Sequence, residues 1–137
     1  MRLVADANVL LAAVLGGRAK AVLQHPEIEE VLTAEVTFGE VQEYSVILAR
    51  EKRLPVDTLL LAMAALPVTV VEEPVYASAI PRARKLITQR DADDVDVLAL
   101  ALHMRLPLWS NDNDFEDTGI EWHTTAELLK KLGRRTG

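Results

Sequence analysis

The sequence predicts an α/β fold, a three-layer α/β/α sandwich around a short, mainly parallel central sheet. Short apolar segments typical of buried strands alternate with longer segments whose apolar residues recur every three or four positions, as in helices. The strand-like segments are apolar on both faces, which is typical of a parallel sheet covered by helices on both sides. At 137 residues the chain has the length of one domain. We therefore expect a single domain over residues 1–137, with a frayed basic tail at 133–137.

The first half of the chain contains predicted strands at 3–5 and 31–32 and predicted helices at 9–15, 19–24, 36–52 and 56–66. The first strand is an apolar run that ends at Asp6. Gly16 and Gly17 are expected to end the helix that follows it, and Pro26 to stop the next one. Pro55 separates the last two helices, because proline is tolerated at the start of a helix but not in its interior.

The second half contains predicted strands at 68–71, 108–110 and 120–123 and predicted helices at 76–87, 94–104 and 124–132. Pro81 lies inside the first of these helices, which is therefore either kinked or begins there. Thr124 or Thr125 is expected to cap the last helix, and Glu127 is placed for the second half of a capping box. Gly133 is expected to end that helix.

Composition excludes several classes of protein. The chain has no cysteine, so it has no disulfide, thiolate zinc site, iron–sulfur cluster or catalytic thiol. A net charge of −6 argues against a protein that holds nucleic acid on a broad basic surface, but not against a nuclease whose metals contact phosphate. No segment approaches the ~20 apolar residues of a membrane span, and we see no signal peptide. These features favour a cytoplasmic protein without a membrane partner.

Acidic side chains follow two predicted strands and begin one predicted helix. Asp6 follows the first strand, Asp112 and Asp114 follow a later strand, and Asp94 begins a helix. Ligands of open parallel sheets bind at the carboxyl ends of the strands, so we expect these carboxylates to converge. Like charges held together repel each other, and carboxylates are ligands that Mg²⁺ and Mn²⁺ prefer. The pattern therefore predicts a divalent-metal site at this edge of the sheet.

Neighbouring acidic residues compete for two positions in this site. Asp94 and Asp96 point to roughly opposite sides of a helix that turns about 100° per residue. Asp94 shares its face with apolar residues and is assigned to the site, whereas Asp93 and Asp96 are assigned to capping or solvent. Glu40 is expected to join the site from a long helix, but Glu43 follows it by three residues on the same face. The choice between these two glutamates stays open.

Each acidic residue also has a purely structural interpretation. Asp6 is placed to cap the helix that follows it, and Glu40 suits a solvated helix face. Asp112 and Asp114 suit a turn, because Asp favours turns. The coincidence of these residues at strand ends and at a helix start favours the metal site over the separate structural interpretations.

Four segments of the sequence resemble the PIN-domain family of nucleases. They are V-A-D-A-N-V-L at 4–10, T-F-G-E-V at 37–41, D-D-V-D-V-L-A-L-A at 93–101 and L-W-S-N-D-N-D-F at 108–115. The first matches the family's apolar strand, Asp, small residue, and Asn or Ser. The last matches a strand, Thr or Ser, and then Asp-x-Asp-Phe. Asn111 departs from the small Gly often found before the fourth acidic position, and the cluster Asp93, Asp94 and Asp96 leaves the third position open by a residue or two.

The resemblance implies a PIN-like fold and an Mg²⁺- or Mn²⁺-dependent ribonuclease that acts on single-stranded RNA. The implied catalytic residues are Asp6, Glu40, Asp94 and Asp112. The implied metal ligands are Asp6, Asp94 and Asp112, with Asp114 in support. Asn8 and Ser110 are expected to lie behind these carboxylates and to orient them. Many relatives are the toxins of toxin–antitoxin pairs, so the resemblance also implies an antitoxin partner.

Two other functions compete with this interpretation. A phosphatase that forms an aspartyl-phosphate usually has a second Asp two residues after the first, where this chain has Asn8. A non-catalytic acidic module would bind a basic protein without needing a metal. In addition, an apolar helix surface at 59–63 suits a homodimer contact, and it suits the hydrophobic core equally well.

Overall fold

The computed structural model describes the backbone of residues 1–87 and 94–136, and the side chains of these residues as far as Gly133. The strands are β1 (Arg2–Ala5), β2 (Glu30–Ala34), β3 (Thr69–Val71), β4 (Leu108–Trp109) and β5 (Trp122–His123). The α-helices are α1 (Ala7–Val14), α2 (Ala19–Leu23), α3 (Glu35–Glu51), α4 (Val56–Ala64), α5 (Glu73–Tyr76), α6 (Ile80–Leu86), α7 (Asp94–Met104) and α8 (Thr125–Thr136). Short 3-10 helices cover Ala77–Ala79 and Asn113–Thr118. Among the described residues, none of the helices has both the length and the apolar character needed to cross a bilayer.

The described strands pair in parallel, in the order β3-β2-β1-β4-β5. The central strand is β1, in which Val4 pairs with Leu32 on one side and with Leu108 on the other. The chain adds β2 and β3 on the first side and then returns to add β4 and β5 on the second. The strand order therefore reverses between β1 and β4, at the kind of position where open parallel sheets bind ligands. The predicted parallel α/β sandwich is confirmed.

Two hydrophobic cores form because alternate residues of a strand point to opposite faces of the sheet. Leu3 and Val31 pack on one face with residues of α1, α2, α3, α4 and α8. Val4 and Leu32 pack on the other face with residues of α5, α6 and α7. The helices that connect β1, β2 and β3 thus cover one face, and those that return the chain to β4 cover the other.

The segment around Pro81 contains two helices where one was predicted. Pro81 takes the second position of α6, so a helix begins there, as one of the two predicted alternatives requires. The preceding residues form α5 and a 3-10 helix instead of an extension of α6. The short α5 was not predicted, because four residues are too few for a helical repeat to show in the sequence.

The last helix, α8, does not end at Gly133 but continues to Thr136, so that prediction was wrong. Glycine inside a helix costs only about 1 kcal/mol relative to alanine, so a glycine does not by itself end a helix. The predicted fraying of residues 133–137 stays a prediction, because the side chains after Gly133 lie outside the described residues.

The start of α8 has the predicted capping box. The backbone N–H of Thr124 donates to Oε1 of Glu127 (3.1 Å), and the N–H of Glu127 donates to Oγ1 of Thr124 (3.2 Å). Thr124, rather than Thr125, is therefore the capping residue, and two N–H groups that the helix cannot satisfy internally have partners.

Helix α4 presents one side to the core and the other to solvent. Leu59 and Met63 are buried, whereas Leu60 and Leu61 are 38% and 71% exposed. The sequence left open whether residues 59–63 belong to the core or to an exposed apolar surface. The structure shows that this segment contributes to both, on opposite sides of the helix.

Replacing Leu59 with alanine is expected to lower the free energy of unfolding by about 2–5 kcal/mol, because it removes buried methyl groups and leaves a cavity. The matched control is Leu61→Ala on the same helix, which is expected to change it by less than about 0.5 kcal/mol. Urea denaturation of both variants measures the difference. Equal losses would show that α4 packs through a different side.

Candidate functional site

A cavity of about 300 Å³ lies at the carboxyl ends of β1 and β4. Its walls come from α1, α3, α7 and the segments that follow the two strands. The lining residues are Asp6, Ala7, Asn8, Leu11, Glu40, Val41, Tyr44, Asp94 and Asp112. The structure thus brings together the four acidic residues that the sequence assigned to catalysis, although they come from distant parts of the chain. Their catalytic and metal-binding roles stay a prediction.

Asp6 lies where β1 gives way to α1, and three hydrogen bonds hold its carboxylate. Its Oδ1 accepts the backbone N–H of Ala7 (2.8 Å), so Asp6 is the N-cap of α1. Its Oδ2 accepts hydrogen bonds from the hydroxyl of Ser110 (2.9 Å) and from Nδ2 of Asn8 (3.2 Å). The cap and the cavity position are therefore compatible, because one carboxylate has lone pairs for both.

Ser110 and Asn8 connect the ends of β1 and β4. Besides donating to Asp6, the fully buried hydroxyl of Ser110 accepts from Nδ2 of Asn8 (3.1 Å) and from the backbone N–H of Asp112 (3.1 Å). The Oδ1 of Asn8 accepts the backbone N–H of Asn111 (3.0 Å). These bonds hold Asp6 and the loop that carries Asp112 together, and the supporting role expected of Asn8 and Ser110 in a metal site stays a prediction.

Asn111 joins this loop to α8. Its Oδ1 accepts the backbone N–H of Thr125 at the start of α8 (2.8 Å). The hydroxyl of the same Thr125 accepts Nε1–H of Trp109, the last residue of β4 (3.0 Å). The sequence showed that this position departs from the family pattern, but not that its side chain would anchor a helix.

Helix α3 distinguishes Glu40 from Glu43. Its buried residues are Thr37, Val41, Ser45 and Ala49. Glu40 lies beside this buried stripe and lines the cavity, whereas Glu43 lies on the far side of the helix and is exposed. Three residues correspond to about 60° of rotation, and here that rotation is enough to move Glu43 from the cavity to solvent.

Asp94 and Asp96 occupy different surroundings at the start of α7. Asp94 is buried and lines the cavity, as predicted. Asp96 does not line the cavity, and its Oδ2 accepts the hydroxyl of the fully buried Tyr76 (2.5 Å). The sequence assigned Asp96 to capping or solvent and did not predict this bond, which comes from a side chain of α5. Asp93, which was given the same assignment, lies outside the described residues.

The acidic side chains of this site oppose one another's ionisation. Burial raises the pKa of Asp6, and the charges of Asp112 and Asp114 raise it further, while hydrogen bonds to the ionised form lower it. Burial, a hydrogen bond to Asp114 and the charge of Asp6 raise the pKa of Asp94 to about 8. Burial and then the charge of Asp114 raise the pKa of Asp112. Asp114 thus belongs to the same electrostatic cluster, although it is not among the residues that line the cavity.

The atoms of the site suit a hard divalent cation. Asp6, Asp94 and Asp112 offer carboxylate oxygens, the ligands that Mg²⁺ and Mn²⁺ prefer. The buried Oδ2 of Asp94 accepts no hydrogen bond from any described residue, which is unusual for a buried polar atom. A nearby positive charge would satisfy this oxygen and lower the raised pKa values. Within residues 1–87 and 94–136, no three His, Asp or Glu side chains already have the arrangement of a metal site.

Tyr44 is a lining residue that was not predicted from the sequence. It follows Glu40 by four residues, which places both side chains on the same side of α3. It is 57% exposed, and together with Ala7, Leu11 and Val41 it provides the apolar part of the lining. The four-residue spacing from Glu40 was the signal in the sequence that indicated this position.

Comparison of the sequence with known families gives one match that covers most of the chain. A model of the PIN domain family matches residues 4–133. No curated protein matches the chain. The segments that carry the resemblance, from the first strand to the loop after β4, all fall inside the matched range.

Solved structures with a similar fold come from several organisms. VapBC2 from Rickettsia felis, bound to a DNA fragment from its promoter, has a TM-score of 0.72 at 10% identity, over 90% of this chain and 98% of that chain. PAE2754 from Pyrobaculum aerophilum has a TM-score of 0.74 at 18% identity, over 98% and 90%. VapC20 from Mycobacterium tuberculosis, a Sarcin-Ricin loop cleaving toxin, has a TM-score of 0.61 at 20% identity, over 86% and 95%. These similarities show a shared fold.

The acidic cluster predicts that the metal-free protein loses stability as pH rises. The pKa of Asp94 is about 8 in the folded protein, against an ordinary value of 3.8. The folded state therefore keeps a proton that the unfolded chain releases between about pH 4 and pH 8, and unfolding becomes easier across this window. With EDTA present throughout, the Tm is expected to fall by at least about 4 °C between about pH 4 and pH 8. A loss of roughly 1 kcal/mol in the free energy of unfolding produces a shift of this size in a small domain.

Two variants test whether Asp94 causes this dependence. Asp94→Asn cannot ionise and is expected to flatten the decline of Tm between about pH 4 and pH 8. Asp96→Asn, two residues further along α7, is the matched control and is expected to retain the wild-type slope. A wild-type Tm that stays constant across the window, or the same slope in Asp94→Asn, would contradict the raised pKa.

Proposed function

This chain belongs to the PIN domain family, and we propose that it is a metal-dependent ribonuclease that hydrolyses phosphodiester bonds of single-stranded RNA. One observation carries the proposal: four acidic side chains surround a single cavity where the strand order of a parallel sheet reverses. They are Asp6, Glu40, Asp94 and Asp112. We further infer that residues 1–137 act as one domain, because both hydrophobic cores share one sheet.

Mg²⁺ or Mn²⁺ is the proposed cofactor. Asp6, Asp94 and Asp112 would hold the ion, with Asp114 in support. When bound, such an ion lowers the pKa of water and stabilises negative charge on the phosphate and the leaving oxygen. The unpartnered Oδ2 of Asp94 and the raised pKa values of the cluster support this assignment.

Side chains of the protein would orient the metal-binding carboxylate and the attacking water. Ser110 and Asn8 hold one oxygen of Asp6 in place through hydrogen bonds, so that the carboxylate keeps one orientation as substrate enters. Glu40 reaches the cavity from a different helix and is the acidic group left for proton transfer. We assign it to orient the attacking water and to accept its proton.

The proposal extends to the toxin of a toxin–antitoxin pair in the cytoplasm. Proteins of similar fold include VapC20, a toxin, and the VapBC2 assembly. An antitoxin is the proposed protein partner. The exposed Leu60 and Leu61 of α4 support a further contact between two copies of the chain.

Cleavage of defined single-stranded RNA tests the proposed function. The wild-type protein is expected to cut RNA in Mg²⁺ or Mn²⁺, to stop in EDTA, and to cut single-stranded DNA of the same sequence more slowly. Asp6→Asn and Asp112→Asn are each expected to lower the cleavage rate by more than roughly 100-fold. Removing a residue that only hydrogen-bonds to a metal ligand typically costs roughly 10- to 100-fold, and removing a ligand itself should cost more. Circular dichroism confirms that the variants are folded.

Two glutamates on the same helix provide the matched control. Glu40→Gln is expected to lower kcat by roughly 100-fold or more, because it removes the proposed proton acceptor. Glu43→Gln removes the same charge from the exposed side of α3 and is expected to keep wild-type kinetics. Full activity of both Asp variants would refute their roles, and equal effects of the two Glu variants would refute the role of Glu40.

Metal binding separates a nuclease from a non-catalytic acidic module. Mn²⁺ is expected to raise the Tm, because a ligand that binds the native state stabilises it. At a Mn²⁺ concentration 100 times the Kd, the free energy of unfolding rises by about 2.7 kcal/mol. Asp6→Asn is expected to lose most of this rise. If Mn²⁺ and Mg²⁺ neither bind in calorimetry nor shift the Tm of the folded protein, the acidic residues serve a binding module instead.

A further inference from the structure

We propose that Tyr44 is a stacking platform for one base of a single-stranded substrate, directly beside the acidic groups. The inference rests on the proposed nuclease function and names the side chain that would hold the base. It is carried by the position of Tyr44, by its exposure and by the charge of the cavity.

Tyr44 lies close enough to the carboxylates for a single nucleotide to contact both. Tyr44 lines the same cavity as Asp6, Asp94 and Glu40. It stands one helical turn after Glu40, and side chains four residues apart on a helix have Cβ atoms about 5–6 Å apart. A nucleotide with its phosphate at the acidic groups can therefore also contact the ring.

The exposure of Tyr44 differs from that of the buried aromatic residues in the core. Tyr76, Trp109 and Phe115 are fully buried, and Tyr76 and Trp109 also donate hydrogen bonds inside the protein. Tyr44 lines the cavity and is 57% exposed. Its ring is thus available to a ligand, and single-stranded nucleic acids are commonly held by bases stacked on aromatic side chains.

The charge of the cavity favours an uncharged contact. Among the described residues, no Lys or Arg lines it, and the chain has a net charge of −6. Phosphates of a substrate therefore meet carboxylates rather than cationic side chains. Stacking does not depend on charge, because every base has an aromatic face, so it can supply affinity where ionic contacts from the cavity wall are missing.

The size of the apolar surface favours a base over a protein segment. The apolar lining consists of Ala7, Leu11, Val41 and Tyr44. Val41 is buried, and the cavity of about 300 Å³ lies at the lower end of small-ligand sites. A specific protein contact covers roughly 800 Å² on each partner, much more than this wall provides.

Binding of a short single-stranded RNA tests the inference, with fluorescence anisotropy as the measurement. The Glu40→Gln protein serves as the background, since it keeps the proposed metal ligands, and the assay contains Mg²⁺. Addition of Tyr44→Ala is expected to weaken binding roughly 5- to 150-fold, the range for loss of one stacked base. Tyr44→Phe keeps a ring and is expected to stay within about twofold. The matched control is Ile47→Ala, which removes another half-exposed apolar side chain of α3 that does not line the cavity.

Three further readouts separate stacking from a general structural effect. In the protein that retains Glu40, Tyr44→Ala is expected to raise KM with little change in kcat. This is the result expected when the lost contact binds the substrate and the transition state equally well. The fold-loss is expected to be the same at about 50 and 200 mM salt, because stacking releases no counterions. An abasic nucleotide at one position of the RNA is expected to abolish the difference between tyrosine and alanine, since the two changes then remove the same contact.

The outcomes distinguish this inference from the function on which it rests. If an enzyme that cleaves RNA binds it equally well with and without the Tyr44→Ala substitution, the stacking role is overturned and the nuclease stands. A wild-type protein that neither binds nor cleaves RNA overturns both. If Tyr44→Ala keeps RNA affinity but changes the sedimentation of the protein, the ring belongs to a contact between copies and the inference is overturned.

Discussion

The hydroxyl of Ser110 is the interaction on which the site depends. It donates its one hydrogen to Asp6 and accepts two, from Asn8 and from the backbone of Asp112, so its whole hydrogen-bonding capacity is used. These bonds join the ends of β1 and β4, where burial and neighbouring charges raise the pKa values of Asp6 and Asp112. A small buried hydroxyl thus opposes the tendency of two loops that carry like charges to separate.

The fold brings the remaining acidic groups to the same place from opposite sides. Glu40 belongs to a helix of the first layer and Asp94 to a helix of the second. The layers can meet over one cavity only at the edge of the sheet, beyond the carboxyl ends of β1 and β4. This arrangement works against stability, because Asp94 is buried among other carboxylates. Strain of this kind at a site, supported by two well-packed cores, is typical of a functional position rather than a structural one.

The sequence could predict those features that follow from a local signal. Asp6 comes directly after β1 and Asp112 three residues after the end of β4, and parallel strands share one edge for their carboxyl ends. Features that depend on packing could not be predicted. The side of α3 that faces the core follows from its fit against neighbouring helices, so a spacing of three residues did not separate Glu40 from Glu43. The bond from Tyr76 to Asp96 joins α5 to α7, which no local signal indicates. Helix α8 continues through Gly133, where the local signal favoured a stop.

Charge in this cavity has two opposing effects on a nucleic-acid substrate. The carboxylates that would bind a cation repel phosphate, and no cationic side chain among the described lining residues offsets that repulsion. Under the proposed function, a bound cation removes the repulsion, so metal and RNA each strengthen the binding of the other. This coupling is reciprocal by thermodynamic necessity. A metal-free protein would therefore hold RNA weakly through its uncharged groups, and the negative net charge of −6 would limit binding elsewhere on its surface.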